Sequence, residues 1–112
     1  MKITGLEICA GATFNDWDFE KALVMTKSMA KHSFPSFNSP VTYAAYEHIP
    51  TAYIFCEKDM IVPPEKQRQF IDQIKQGTGK EVEVHTLNTG HCPTVTATEE
   101  TAKVIIDIAR SA

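Results

Sequence analysis

The sequence predicts an α/β fold, on three observations. The run Thr51-Ala-Tyr-Ile-Phe-Cys56 is short and nearly continuously apolar, which suits a strand buried on both faces of a parallel sheet. The segment Glu81-Val-Glu-Val-His-Thr-Leu87 alternates, so it reads as a second strand nearer a sheet edge. A helical pattern follows each, and the order strand, helix, strand, helix implies a right-handed βαβ unit with one further helix.

The chain divides at Ile49-Pro50, because a residue before proline is biased toward extended backbone. Residues 1–48 form a helical segment of irregular patterning, and residues 49–112 form the orderly β-α-β-α portion. At the N-terminus Ile3, Leu6 and Ile8 hold no clean period. Asn15 or Asp16 can cap a helix running from about Trp17 to Lys31. That helix carries Phe19, Leu23, Thr26 and Ala30 on one side and Val24, Met25 and Met29 toward another, so it is buried or covers something. His32 to Pro40 reads as a loop broken by Pro35 and Pro40, and a short helix follows through Thr42 to Glu47.

After the first strand, Pro63-Pro64 opens a helix, since proline fits a first helical turn. Phe70, Ile71 and Ile74 form its inward stripe, and Gly77 supplies its C-terminal stop. Asn88-Thr-Gly-His-Cys-Pro93 is a loop at the end of the second strand. The last helix starts near Thr96 or Thr98, where Thr96 and Glu99 fit a capping box. Its apolar face is Ala102, Ile105, Ile106 and Ala109, with Arg110 near the negative end of the helix dipole.

Composition excludes several functions. The chain has 112 residues, 43% hydrophobic and 22% charged, which fits a globular chain rather than a disordered one. With 11 Lys+Arg against 14 Asp+Glu it offers no basic face for general nucleic-acid binding. No apolar run approaches the roughly 20 residues that cross a bilayer, so no membrane role is expected. Cys9, Cys56 and Cys92 are odd in number and form no CxxC pair, which points away from a disulfide framework and toward a reduced, cytoplasmic setting.

In sheets of this kind ligands bind beyond the carboxyl ends of the strands. Asp59 follows the first strand and His91 follows the second, and parallel neighbours bring both ends onto one rim. A carboxylate beside a histidine holds the imidazole in one tautomer and stabilises its protonated form, so the pair suits general-base chemistry. Gly90 gives the loop backbone freedom to aim the ring, and Pro93 stiffens its exit. The plainer alternative is a capping aspartate and a surface-loop histidine.

Other candidates are weaker. Cys92 adjoins His91, but adjacent side chains in an extended loop point apart. Ser33, Ser36 and Ser39 sit in an irregular loop without the strained turn that activates a serine. His85, His91 and Cys92 match no zinc spacing, so no metal is expected. Gly77-Thr-Gly79-Lys80 lacks the first glycine of a P-loop and has Glu81 where a Ser or Thr would hold magnesium, so no nucleotide or other cofactor is implied. Met25, Met29, Phe34, Phe37 and Tyr43 either line an apolar pocket or simply pack.

Ile49-Pro50-Thr-Ala-Tyr-Ile-Phe-Cys-Glu-Lys-Asp59, then Pro64 with Gln67 or Gln69 and Phe70-Ile71, then Leu87-Asn-Thr-Gly-His91-Cys-Pro93, resembles the C-terminal part of an α/β hydrolase. The chain is most similar to the fungal and plant-like group related to small esterases and hydroxynitrile lyases. The resemblance covers residues 49–112 and extends more weakly to about residue 15, where the Met-rich helix looks like that group's cap. It implies Asp59 as triad acid, His91 as triad base, and Met25, Met29, Phe34, Phe37 and Tyr43 as cap residues lining the pocket of a small apolar, ester-like substrate.

In that family the nucleophile precedes the acid on a Gly-x-Ser-x-Gly elbow. No such elbow and no HGGG-type oxyanion loop occurs in this sequence. The resemblance therefore implies an acid–base corner whose nucleophile lies elsewhere, and little activity for the chain alone. The alternative is a non-catalytic accessory or binding protein. In either case the half sheet would expose an edge that a second copy or another partner covers.

Overall fold

The computed structural model describes residues 5–112, so Ile3 lies outside the described residues. Two helices come first, α1 (Gly5–Thr13) and α2 (Phe19–Ser28). Helix α2 is shorter than the sequence predicts. Its N-cap is Asp18, whose carboxylate accepts from the Lys21 N–H at 3.1 Å, and Met29 already has extended backbone. Asn15 and Asp16, the expected caps, are engaged elsewhere. Ala10, Phe14 and Ala22 form a small buried cluster between α1 and α2. Trp17, Leu23, Met25, Cys92 and Val95 pack against it, which ties the helical segment to the loop carrying His91.

Two 3₁₀ turns follow, Phe34–Phe37 and Ala45–Glu47. The first occupies the expected loop, and the second replaces most of the expected short helix.

The C-terminal portion is β1 (Ala52–Cys56), α3 (Pro64–Thr78), β2 (Glu83–Leu87), α4 (Pro93–Thr96) and α5 (Thr98–Ser111). Strands β1 and β2 pair in parallel, with Ala52 opposite Glu83 and Cys56 opposite Leu87. The architecture is thus mixed, with helices around a small two-stranded parallel sheet, consistent with the α/β class. Phe55, Cys56 and Leu87 are its buried apolar residues.

Three local readings are corrected. Gly77 lies inside α3, and the helix stops at Gly79, whose φ of 69° is the left-handed backbone that glycine accepts without strain. At Gly77 an added Cβ would lie 3.2 Å from both Glu47 Oε1 and Tyr46 Cε2, so the missing side chain lets the second 3₁₀ turn pack against the helix. Thr96 and Glu99 form no capping box, because Ala97 is the N-cap of α5 and the Thr96 hydroxyl turns to Asp16. Finally, α5 turns Thr101, Val104 and Ile108 inward, while Ala102, Ile105, Ile106 and Ala109 stand exposed. The helix is apolar on more than one side, and period alone does not say which side meets the sheet.

Among the described residues no helix is long and apolar enough to cross a membrane.

Candidate functional site

The site is built at the C-terminal ends of β1 and β2. Hydrogen bonding between the strands continues past their ends: the Glu57 N–H donates to Leu87 O at 3.0 Å, and the Lys58 N–H donates to Thr89 O at 2.9 Å. The two loops therefore leave the sheet side by side, with Asp59 on one and His91 on the other.

The first loop folds around Asp59. Its Oδ1 accepts the backbone N–H groups of Ile61 at 2.8 Å and Val62 at 2.9 Å. The carboxylate thus closes its own turn, as short acidic side chains do. Gln67, 2% exposed, locks the base of the same loop from α3. Its Oε1 accepts the Cys56 N–H at 2.9 Å, and its Nε2 donates to Cys56 O at 2.8 Å and to Val62 O at 2.9 Å.

His91 Nδ1 lies 2.9 Å from Asp59 Oδ2 and 3.2 Å from Oδ1. The Asp59 side chain is only 6% exposed, against 34% for His91. A carboxylate accepts only, so Nδ1 carries a proton toward it. The other ring nitrogen, Nε2, is then the one left to exchange a proton with a reacting group.

The surroundings of the two nearby cysteines disfavour the thiolate. Burial pushes the Cys92 thiol above its ordinary value, and the carboxylates of Asp59 and Asp16 add to the rise. Burial raises Cys56 as well, outweighing the opposing effect of a hydrogen bond with Thr89. A raised thiol is a poor nucleophile near neutral pH.

The remaining sequence candidates are placed as follows. Met29, Phe34, Phe37 and Tyr43 are exposed to solvent. Met25 lines a shallow cleft with Trp17, Glu20, Lys21 and Val24. His85 pairs with Glu83, its Nε2 lying 2.6 Å from Glu83 Oε1. Among the described residues no group of three or more His, Cys, Asp or Glu side chains is placed to hold a metal.

Sequence reasoning missed two residues. Asn15 Nδ2 donates to Lys58 O at 2.9 Å, and Asp16 Oδ2 accepts from the Thr96 hydroxyl at 2.8 Å. From sequence both fit helix caps. Their short polar side chains fit a cap and a tertiary tie equally well, so no signal in one sequence separates the two roles.

The chain has a hydrolase-like relative. A curated protein of Phoma sp. named "Probable hydrolase R7" is 49% identical over 100 residues, covering 89% of this chain. Those residues make up 41% of the relative, so the chain spans about two fifths of that protein's length. No family model matches the chain.

Proposed function

We propose that this chain carries the acid and the base of a serine-type hydrolase, with the nucleophile supplied by residues outside it. The observation that carries this reading is the 2.9 Å contact between His91 Nδ1 and a largely buried Asp59 carboxylate at the ends of adjacent parallel strands. The name of the Phoma protein and the resemblance to the α/β-hydrolase group of small esterases and hydroxynitrile lyases support it. Asp59 holds the imidazole in the tautomer that leaves Nε2 free. Nε2 accepts the proton as a serine hydroxyl attacks an acyl carbon, and returns it to the leaving group. Water then repeats the cycle on the acyl-enzyme. The substrate class is a small, largely apolar ester or related compound.

The sequence holds no Gly-x-Ser-x-Gly elbow and no HGGG-type oxyanion loop. Oxyanion donors alone are worth about 10²- to 10³-fold in rate. An isolated acid–base pair contributes roughly 10²- to 10⁴-fold by general-base action. The 112-residue chain by itself, without nucleophile or oxyanion donors, is therefore expected to release p-nitrophenol from short-chain esters far more slowly than a complete hydrolase. A chimera tests the reading: this chain replaces the stretch it matches in the Phoma protein. Esterase activity that disappears with His91→Gln is the expected result. An inactive chimera that folds, or an active one indifferent to His91→Gln, overturns it.

A second reading is favoured by the exposed Ile105 and Ile106 on α5 and by the edge that, among the described residues, each strand of the two-stranded sheet leaves without a neighbouring strand. On it, the chain is a non-catalytic protein whose exposed face is covered by a second copy. Sedimentation equilibrium separates the readings: a stable dimer favours the second, and a monomer disfavours it.

A further inference from the structure

The Asp59–His91 contact depends on two loops staying in step, and the sheet below them is only two strands wide. A second tie comes from the connection between α1 and α2. Asn15 donates from Nδ2 to the carbonyl of Lys58, the residue before Asp59. Reversing that amide would set two oxygens against each other, so the contact fixes its orientation. Its Oδ1 then points to the other loop, toward Gly90, the residue before His91: a Cβ built on Gly90 would collide with Asn15 Oδ1 and lie 2.7 Å from Asp16 Oδ1. Asp16 completes the span, its Oδ2 accepting from Thr96 on the far side of His91.

Among the described residues neither of these buried Oδ1 atoms has a hydrogen-bond partner. An unpaired buried acceptor is costly, and such sites persist where the surrounding structure holds them for another purpose. The Cα–H side of Gly90 faces the two oxygens, a weak substitute for an N–H donor.

We propose that Asn15 and Asp16 are positioning residues: they bridge the acid loop at Lys58 to the base loop at Gly90 and Thr96, and so keep Asp59 and His91 at hydrogen-bond distance. Its catalytic consequence rests on reading Asp59 and His91 as the acid–base pair of a hydrolase, but the geometry does not. The arrangement also explains a residue type. Gly90 is glycine because two side-chain oxygens occupy the space a Cβ would take.

The test uses the 112-residue chain and a readout independent of catalysis. A histidine N–H donated to a carboxylate gives a proton resonance far downfield of the amides, assigned here by its loss in His91→Gln. Asn15→Ala removes the tie to Lys58, and Thr96→Val removes the tie to Asp16 at nearly constant volume. Thr101→Val removes a hydroxyl hydrogen bond within α5 (to Ala97 O, 2.8 Å) and serves as the control. The expected result is loss or a clear upfield shift of the resonance in both tie variants, with native circular dichroism, and no change in Thr101→Val. A wild-type resonance in both folded tie variants overturns the proposal. Global unfolding of both overturns it too, since the ties would then determine the fold rather than the pair's geometry. In an active chimera the same two substitutions should lower kcat by about 10- to 100-fold with KM little changed, the penalty for a misplaced general base. A resonance that responds in an inactive chimera upholds the positioning role while removing the hydrolase reading.

Discussion

The side-chain amide of Gln67 engages both backbone groups of Cys56, as a neighbouring strand would, and it does so from inside α3. The start of the loop that presents Asp59 is therefore held on both sides, Cys56 by Gln67 and its neighbour Glu57 by Leu87 of β2. Gln67→Ala would strand the Cys56 N–H and the Val62 C=O and leave the Cys56 C=O only the long 3.4 Å contact from the Asp59 N–H. Each unsatisfied group costs about 1–3 kcal/mol, so the variant should lose about 2 kcal/mol or more of unfolding free energy. Urea denaturation followed by circular dichroism measures it, and a loss below about 1 kcal/mol would show that water replaces the amide.

Gly90 and Gly11 should respond to alanine in opposite directions. Neither has the positive φ that demands glycine, which among the described residues belongs to Gly79. At Gly90 the obstacle is the pair of oxygens on Asn15 and Asp16. At Gly11, within α1, nothing lies within 4 Å of an added Cβ. Gly11→Ala should stabilise the helix by about 0.5–1 kcal/mol, whereas Gly90→Ala should lower the melting temperature and displace the His91 loop. Thermal melts of the two variants, run together, check both signs.

The fold was most legible where one periodicity ran without competition. The apolar run at β1, the alternation at β2 and Pro64 at the start of α3 each had one physical reading, and the parallel pairing followed from them. Legibility failed where a residue had two equally good uses. Asp16 can cap a helix or accept from Thr96, and Gly77 and Gly79 both suit a helix end until the φ of one is known. It failed again on α5, whose residues offer more than one apolar side. The Asp59–His91 contact was readable because strand ends are fixed by the strands. The ties at Asn15 and Asp16 were not, because they join segments far apart in the chain.

The thiols of buried Cys56 and half-buried Cys92 make stability fall in alkali. Burial raises Cys56 and Cys92 above the ordinary 9.0, and raises Tyr53 above 10.0. A group whose pKa is higher in the folded state contributes stability that is complete below its unfolded value and is lost as pH rises through its folded value. The loss should therefore begin near pH 9.0 with the thiols and be joined near 10.0 by Tyr53. Urea midpoints should be flat in these groups' contributions below pH 8 and fall steadily above 9. Alkylation by iodoacetamide at pH 8 should be slower at Cys92 in the folded chain than in the urea-unfolded one, and equal rates would contradict the burial effect.

Asp59 has two tasks that one pair of substitutions can separate. Its Oδ1 closes the turn by accepting from Ile61 and Val62, while Oδ2 makes the shorter contact to His91. Asp59→Ala abolishes both and should cost more than about 3 kcal/mol, since hydrogen bonds to a charged acceptor are worth about 1.5–3 kcal/mol each. Asp59→Asn keeps an oxygen for the turn and presents an N–H₂ to His91. The imidazole must then accept at Nδ1 and carry its proton at Nε2, where it can no longer take one from a nucleophile. The asparagine variant should thus stay within about 1 kcal/mol of wild type in urea. In the chimera it should lose activity by about 10⁴-fold, the effect expected of a wrong tautomer. Equal activity losses accompanied by equal destabilisation in both variants would make Asp59 a turn residue alone.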